Sequence, residues 1–137
     1  MSSRSPLPVS EMEIRAVLAK ELAGAQFVLL YGSFGTPYFT SDSDLDIAVQ
    51  FPARLELSSL LNICASLEAA TGRKIDLVDL RGADPVLAMQ ALRAGRPLLI
   101  NDARAYGQFG MRTLSDYMDL KIDRRDIEQG LMQWGTK

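Results

Sequence analysis

The run Phe27-Val28-Leu29-Leu30-Tyr31 closes on Gly32-Ser33, and ten residues later Asp44-Leu45-Asp46 opens a second apolar run, Ile47-Ala48-Val49. Each run is short and apolar and reads as a buried strand. Side chains alternate faces along a strand, so Asp44 and Asp46 point to one side while Leu45 and Ile47 point to the other. Two carboxylates held side by side repel and raise each other's pKa unless a cation sits between them. Oxygen ligands on one ridge suit Mg²⁺, which takes one or two carboxylates and completes its shell with water and substrate phosphate. A Gly-Ser turn beside them offers backbone N–H groups and a hydroxyl to those phosphates. The pattern points to metal-assisted chemistry on a nucleotide.

The rest of the chain sets the frame for that site. Its 137 residues fit one domain, and an apolar content of 47% is ample for a core. A formal charge of −2 gives no sign of a broad nucleic-acid surface, so direct nucleic-acid binding is not expected, whereas a nucleotide or a protein partner is compatible. The single cysteine, Cys64, lies in an apolar helical pattern and reads as a structural thiol in a reducing compartment. The start of the chain lacks the apolar core of a signal peptide and no stretch reaches the length of a membrane span, so the expected location is cytoplasmic. Histidine is absent, which excludes Ser-His-Asp and Cys-His catalysis, histidine-ligated zinc and an imidazole base. The chemistry is left to carboxylates, metal ions, hydroxyls and basic side chains.

Local signals predict the elements. Ser10-x-x-Glu13 is a capping box, with Ile14, Val17, Leu18 and Leu22 at helical spacing behind it and Gly24 as the stop. A strand over 26–31 leads into the Gly-Ser turn, a loop of Gly, Thr, Pro and Ser follows, and a second strand covers 45–51 before Pro52. Leu57, Leu60, Leu61, Cys64 and Leu67 form a second helix closed by Thr71-Gly72. A third strand spans 74–80, a third helix starts at Asp84-Pro85 and stops at Gly95, and a short fourth strand spans 97–100. A tail from Ala103 to about Leu131 is helical, with an interruption expected near Gly107–Gly110. The class is α/β (α+β): a mixed sheet of about four strands flanked by helices, the first two strands antiparallel, with a C-terminal helical tail. The tail's Leu114, Tyr117, Met118, Leu120, Ile122, Ile127, Leu131 and Trp134 make more than one apolar stripe, one to pack on the domain and one of a composition suited to a partner. Arg124-Arg125, flanked by Asp123 and Asp126, read as a mixed charged face. Tyr38, Tyr106 and Tyr117 stand as tyrosines open to modification, none singled out.

A third carboxylate should come from a neighbouring strand, and Lys74-Ile75-Asp76-Leu77-Val78-Asp79-Leu80 offers two. Asp76 and Asp79 lie on opposite faces, and periodicity does not choose between them.

The run Gly32-Ser33-(ten residues)-Asp44-x-Asp46 resembles the nucleotidyltransferase superfamily typified by DNA polymerase beta. At this length the chain is similar to the minimal nucleotidyltransferase (MNT) proteins, often paired with a HEPN-domain ribonuclease in toxin–antitoxin modules. The resemblance implies a polymerase-beta-like domain over 1–102 and a helical tail over 103–137 that packs on the domain and on a partner. It implies Asp44, Asp46 and Asp76 as catalytic residues and ligands of two Mg²⁺ ions, with Asp76 helping to deprotonate the acceptor. Asp79 then falls to a capping or solvent-facing role, and Asp42 to a turn. Gly32 and Ser33 match the phosphate-holding pair. The implied activity is transfer of AMP from ATP to a hydroxyl, a tyrosine, of a HEPN ribonuclease toxin, with release of pyrophosphate, which makes the chain that toxin's antitoxin. One departure stands out: relatives often carry a basic residue just after the pair, where this chain has Phe34-Gly35-Thr36-Pro37-Tyr38. A distant cation is then required, and Lys74, Arg81 and Arg54 remain open. The rival readings are an antitoxin that neutralises by contact alone, a nucleotidyltransferase acting on a small molecule such as an aminoglycoside, and a regulatory module that binds ATP without turnover.

Overall fold

The computed structural model describes residues 10–135, with side chains described through residue 119. Helix α1 (Glu11–Glu21) starts on the predicted capping box: the Ser10 hydroxyl accepts from Glu13 N, and the Glu13 carboxylate accepts from Ser10 N. Strand β1 (Phe27–Tyr31) and strand β2 (Leu45–Gln50) follow. Helix α2 (Leu57–Thr71) ends on Gly72, whose left-handed φ of 69° closes the last turn. Strand β3 (Ile75–Asp79) leads to helix α3 (Pro85–Ala94), capped by the Asp84 carboxylate on Leu87 N with proline in the first turn. Strand β4 (Arg96–Ile100) and helix α4 (Ala103–Gly135) complete the order.

The four strands form one mixed sheet in the order β3-β2-β1-β4. β1 runs antiparallel to β2 and to β4, and α2 carries the chain across so that β2 and β3 are parallel. Alternation sorts the side chains into two cores. Val28, Leu30, Leu45, Ile47, Val49 and Ile75 join Ile14, Leu18 and Leu67 on the α1/α2 face. Phe27, Leu29, Ala48 and Leu80 join Ala88, Ala91 and Phe109 on the α3/α4 face.

Helix α4 departs from expectation. It passes through Gly107 and Gly110 without a break. Ala105, Phe109 and Thr113, spaced one turn apart, are buried, and Phe109 and Tyr106 both pack on Phe27 at ring-centroid distances of 5.2 and 5.1 Å. That burial offsets the propensity loss of about 1 kcal/mol per glycine. Of the tail's apolar residues, Leu114 and Met118 are exposed and Tyr117 is half-buried. The side chains of Leu120, Ile122, Asp123, Arg124, Arg125, Asp126, Ile127, Leu131 and Trp134 lie outside the described residues. No helix among the described residues is long and apolar enough to cross a membrane.

Candidate active site

Register decides which carboxylates meet. Asp46 is the second residue of β2, and its neighbour in the parallel ladder is Asp76, the second residue of β3. Residues level in adjacent strands project to the same face, so the two carboxylates stand side by side. Asp44 precedes the strand by one residue and keeps to their side. It is exposed and acts on Asp46 through its charge. Asp79 is level with Val49, on the other face, and its carboxylate accepts from Leu55 N at 2.8 Å and Arg81 N at 3.1 Å, the capping role expected of it. Asp42 sits exposed in the turn.

The electrostatics record the crowding. Asp46's carboxyl is raised above its ordinary pKa by burial first, then by the charges of Asp76 and Asp44 and a hydrogen bond with Asp76. Tyr31, level with Asp46 in the antiparallel β1–β2 ladder, faces the same ground. Burial and the charges of Asp76 and Asp46 push its phenol up to about 12. Tyr31 was passed over in sequence, where Tyr38, Tyr106 and Tyr117 drew notice; its adjacency to Gly32 on an antiparallel strand was the available signal.

Gly32 closes β1 with φ of 75°, in the left-handed region. A Cβ there would stand 2.0 Å from Asp46 Oδ2. Glycine is therefore required twice, for its backbone and to leave that carboxylate oxygen open. Ser33 is half-buried beside it, and its carbonyl accepts from Thr36 N and, at 2.5 Å, from the Thr36 hydroxyl. Among the described residues no three acidic or thiol side chains converge closely enough to hold a metal ion between them. The structure assembles the Asp46–Asp76 pair, flanked by Asp44. That donor set fits Mg²⁺: hard oxygens only, mutually repelling, with one oxygen cleared by the missing Cβ, for an ion that keeps water and phosphate in its shell.

Of the three open cations, two belong elsewhere. Arg81 donates to Phe51 O and Gln26 Oε1, and Arg54 lies over Gly82. Both follow the far ends of β2 and β3, roughly 13 Å or more from the carboxylates at 3.3 Å per residue. Lys74 is exposed one residue ahead of β3, where its carbonyl accepts from Leu45 N. Two arginines that sequence reasoning missed hold the loop between Gly32 and Asp44. Arg96, on β4, reaches Gly32 O and Phe34 O. Arg73 donates to Thr40 O and Ser41 O and lies over the Phe39 ring at 4.5 Å. Cys64 is half-buried, its thiol donating to Ile75 O, and burial raises its pKa, as a structural thiol's should be.

Known proteins resemble this chain in sequence and fold. The family described as "Polymerase beta, Nucleotidyltransferase" matches residues 13–104. A curated relative, protein adenylyltransferase MntA of Shewanella oneidensis strain MR-1, is 29% identical over 124 residues, covering 90% of this chain and 88% of that protein. Among solved structures, a chain of a toxin–antitoxin crystal structure with AMP-PNP superposes with a TM-score of 0.74 at 29% identity, covering 90% of this chain and 99% of that one. Another, from a complex of tri-AMPylated Shewanella oneidensis HEPN toxin with MNT antitoxin, gives a TM-score of 0.67 at 30% identity, covering 89% of this chain and 95% of that one.

Proposed function

The chain belongs to the polymerase beta nucleotidyltransferase family, and from that premise we propose that it is a Mg²⁺-dependent protein adenylyltransferase, the antitoxin of a HEPN ribonuclease toxin. It moves AMP from ATP to a tyrosine hydroxyl of that toxin and releases pyrophosphate. The observation that carries this reading is the level pairing of Asp46 with Asp76 beside the open Gly32-Ser33 turn, in a chain whose likeness to MntA runs over 90% of its length.

Asp44, Asp46 and Asp76 would hold Mg²⁺, which when bound relieves their repulsion and neutralises charge on the phosphate oxygens. Asp76 is exposed at the strand edge and accepts the proton of the incoming hydroxyl. Gly32 and Ser33 receive the β- and γ-phosphates through backbone N–H and hydroxyl. The acceptor oxygen bonds to the α-phosphorus, the bond from that phosphorus to the bridging oxygen breaks, and pyrophosphate departs. Lys74, at the carboxylate end of the sheet, is the lysine best placed to meet the leaving group. The product carries an added phosphodiester charge and the bulk of AMP, which opposes binding of RNA phosphates at the toxin's own site.

The test is the intact mass of a co-expressed HEPN partner with the wild-type chain and with Asp44→Asn/Asp46→Asn. A gain of one or more AMP units only with wild type is expected. No gain with either chain, while both still form a stable complex, would replace this reading with neutralisation by contact.

A further inference from the structure

The turn after β1 presents carbonyls on one side and N–H groups on the other, and one distant arginine fixes which side is which. Arg96 opens β4 level with Leu30. Leu30 belongs to the α1/α2 core, whereas Tyr31 packs against the core of the opposite face, the face that carries Asp46. Arg96 thus approaches the turn from the α1 side, where Gly35 lies between Arg96 and Glu11. Its Nη2 donates to Phe34 O and, at 3.5 Å, to Gly32 O.

A trans peptide points its C=O and its N–H in opposite directions. Drawing the Gly32 and Phe34 carbonyls toward Arg96 therefore turns the N–H groups of Ser33 and Gly35 away from it. Among the described residues neither N–H is engaged in another hydrogen bond. Gly32 and Gly35 both hold left-handed backbone, with φ of 75° and 82°, the kind of local geometry that gathers successive N–H groups into an anion-receiving concavity. The sequence supplies no lysine or arginine between Gly32 and Ala53. Arg96 is therefore the guanidinium that orders this turn, from 64 residues away.

We propose that Arg96 is a positioning residue for the triphosphate: it clamps two peptide planes so that Ser33 and Gly35 N–H face the β- and γ-phosphates. This rests on the nucleotide reading given under Proposed function. It predicts a selective defect, because the clamp serves groups that AMP lacks.

The experiment is calorimetry of the full chain with Mg²⁺-tripolyphosphate, Mg²⁺-AMP-PNP and AMP, for wild type, Arg96→Met and Arg96→Lys, with a thermal melt of each. Arg96→Met should weaken tripolyphosphate and AMP-PNP by about tenfold or more while AMP stays within about twofold. Arg96→Lys keeps charge without the planar fork and should recover only part of the loss. In turnover the same variants should raise KM for ATP more than they lower kcat. A merely structural role would lower all three affinities together, and that result overturns the proposal. Wild-type affinity for tripolyphosphate in Arg96→Met, or in Arg96→Lys if the methionine variant does not fold, also overturns it. Failure of the wild-type chain to bind AMP-PNP or tripolyphosphate would instead remove the nucleotide reading itself, and this inference with it.

Discussion

Asp46 carries the clearest consequence of a single residue's surroundings. Its native pKa is raised by burial and by Asp76 and Asp44, while the unfolded value is about 3.9. Between those two values the folded chain binds more protons than the unfolded one, so the contribution to stability is full below the unfolded value and declines as pH rises through the native one. At neutral pH the metal-free site is thus under strain from its own charges. Asp46→Asn should raise the melting temperature in EDTA at pH 7 by roughly 2–4 °C, with the difference closing toward pH 4. Added Mg²⁺ should stabilise wild type and not the variant. A variant that melts below wild type at pH 7 would contradict this account. The residues of the site were legible in the sequence to the extent that they are local. Gly32, Ser33, Asp44 and Asp46 fall on one short stretch whose alternation can be read directly. Asp76 and Asp79 were not separable from periodicity, because alternation gives faces and not register; the ladder sets Asp76 level with Asp46 and Asp79 level with Val49. Arg96 left no sequence signal, since a strand 64 residues on must first be placed beside β1.

Elements were legible where a cap or a stop is encoded nearby. Ser10 and Glu13, Gly72, and Asp84-Pro85 mark helix ends through hydrogen bonds and backbone angles that their own side chains dictate. Helix α4 shows the opposite case. Two glycines in four residues predict a break on propensity, yet packing of Ala105, Phe109 and Thr113 carries the helix through. The glycines are tolerated and at one position serve no packing need: a Cβ on Gly107 would meet nothing within 4 Å, whereas one on Gly110 would touch Leu92 at 3.8 Å. Gly107→Ala should therefore stabilise the chain by about 0.5–1 kcal/mol, read as a shift of the denaturant midpoint at unchanged slope. No shift, or a destabilisation, would show that the helix gains something from glycine at that point.

Across the whole molecule, the two faces of the sheet divide the labour. α1 and α2 build the larger core on one face, and α3 with the first turns of α4 cover part of the other, leaving the carboxylate end of that face to the site. This makes the start of α4 part of the core that supports β1. Phe27, fully buried, lies between Tyr106 and Phe109, and β1 ends on Tyr31 and Gly32. Losing one buried aromatic costs about 3–5 kcal/mol, against a total stability of about 5–15 kcal/mol for a domain. A chain ending at Asp102 should therefore show no cooperative melt, because Phe27, Leu80, Ala88 and Ala91 lose their cover together. A chain ending at Asp119 keeps Ala105, Phe109 and Thr113 and should unfold in one cooperative transition. The two truncations, compared by circular dichroism and calorimetry, isolate what residues 103–119 of α4 contribute. Equal, cooperative melting of both would mean that the contacts on Phe27 contribute little and that β1, with the turn it delivers, is held by its ladder alone.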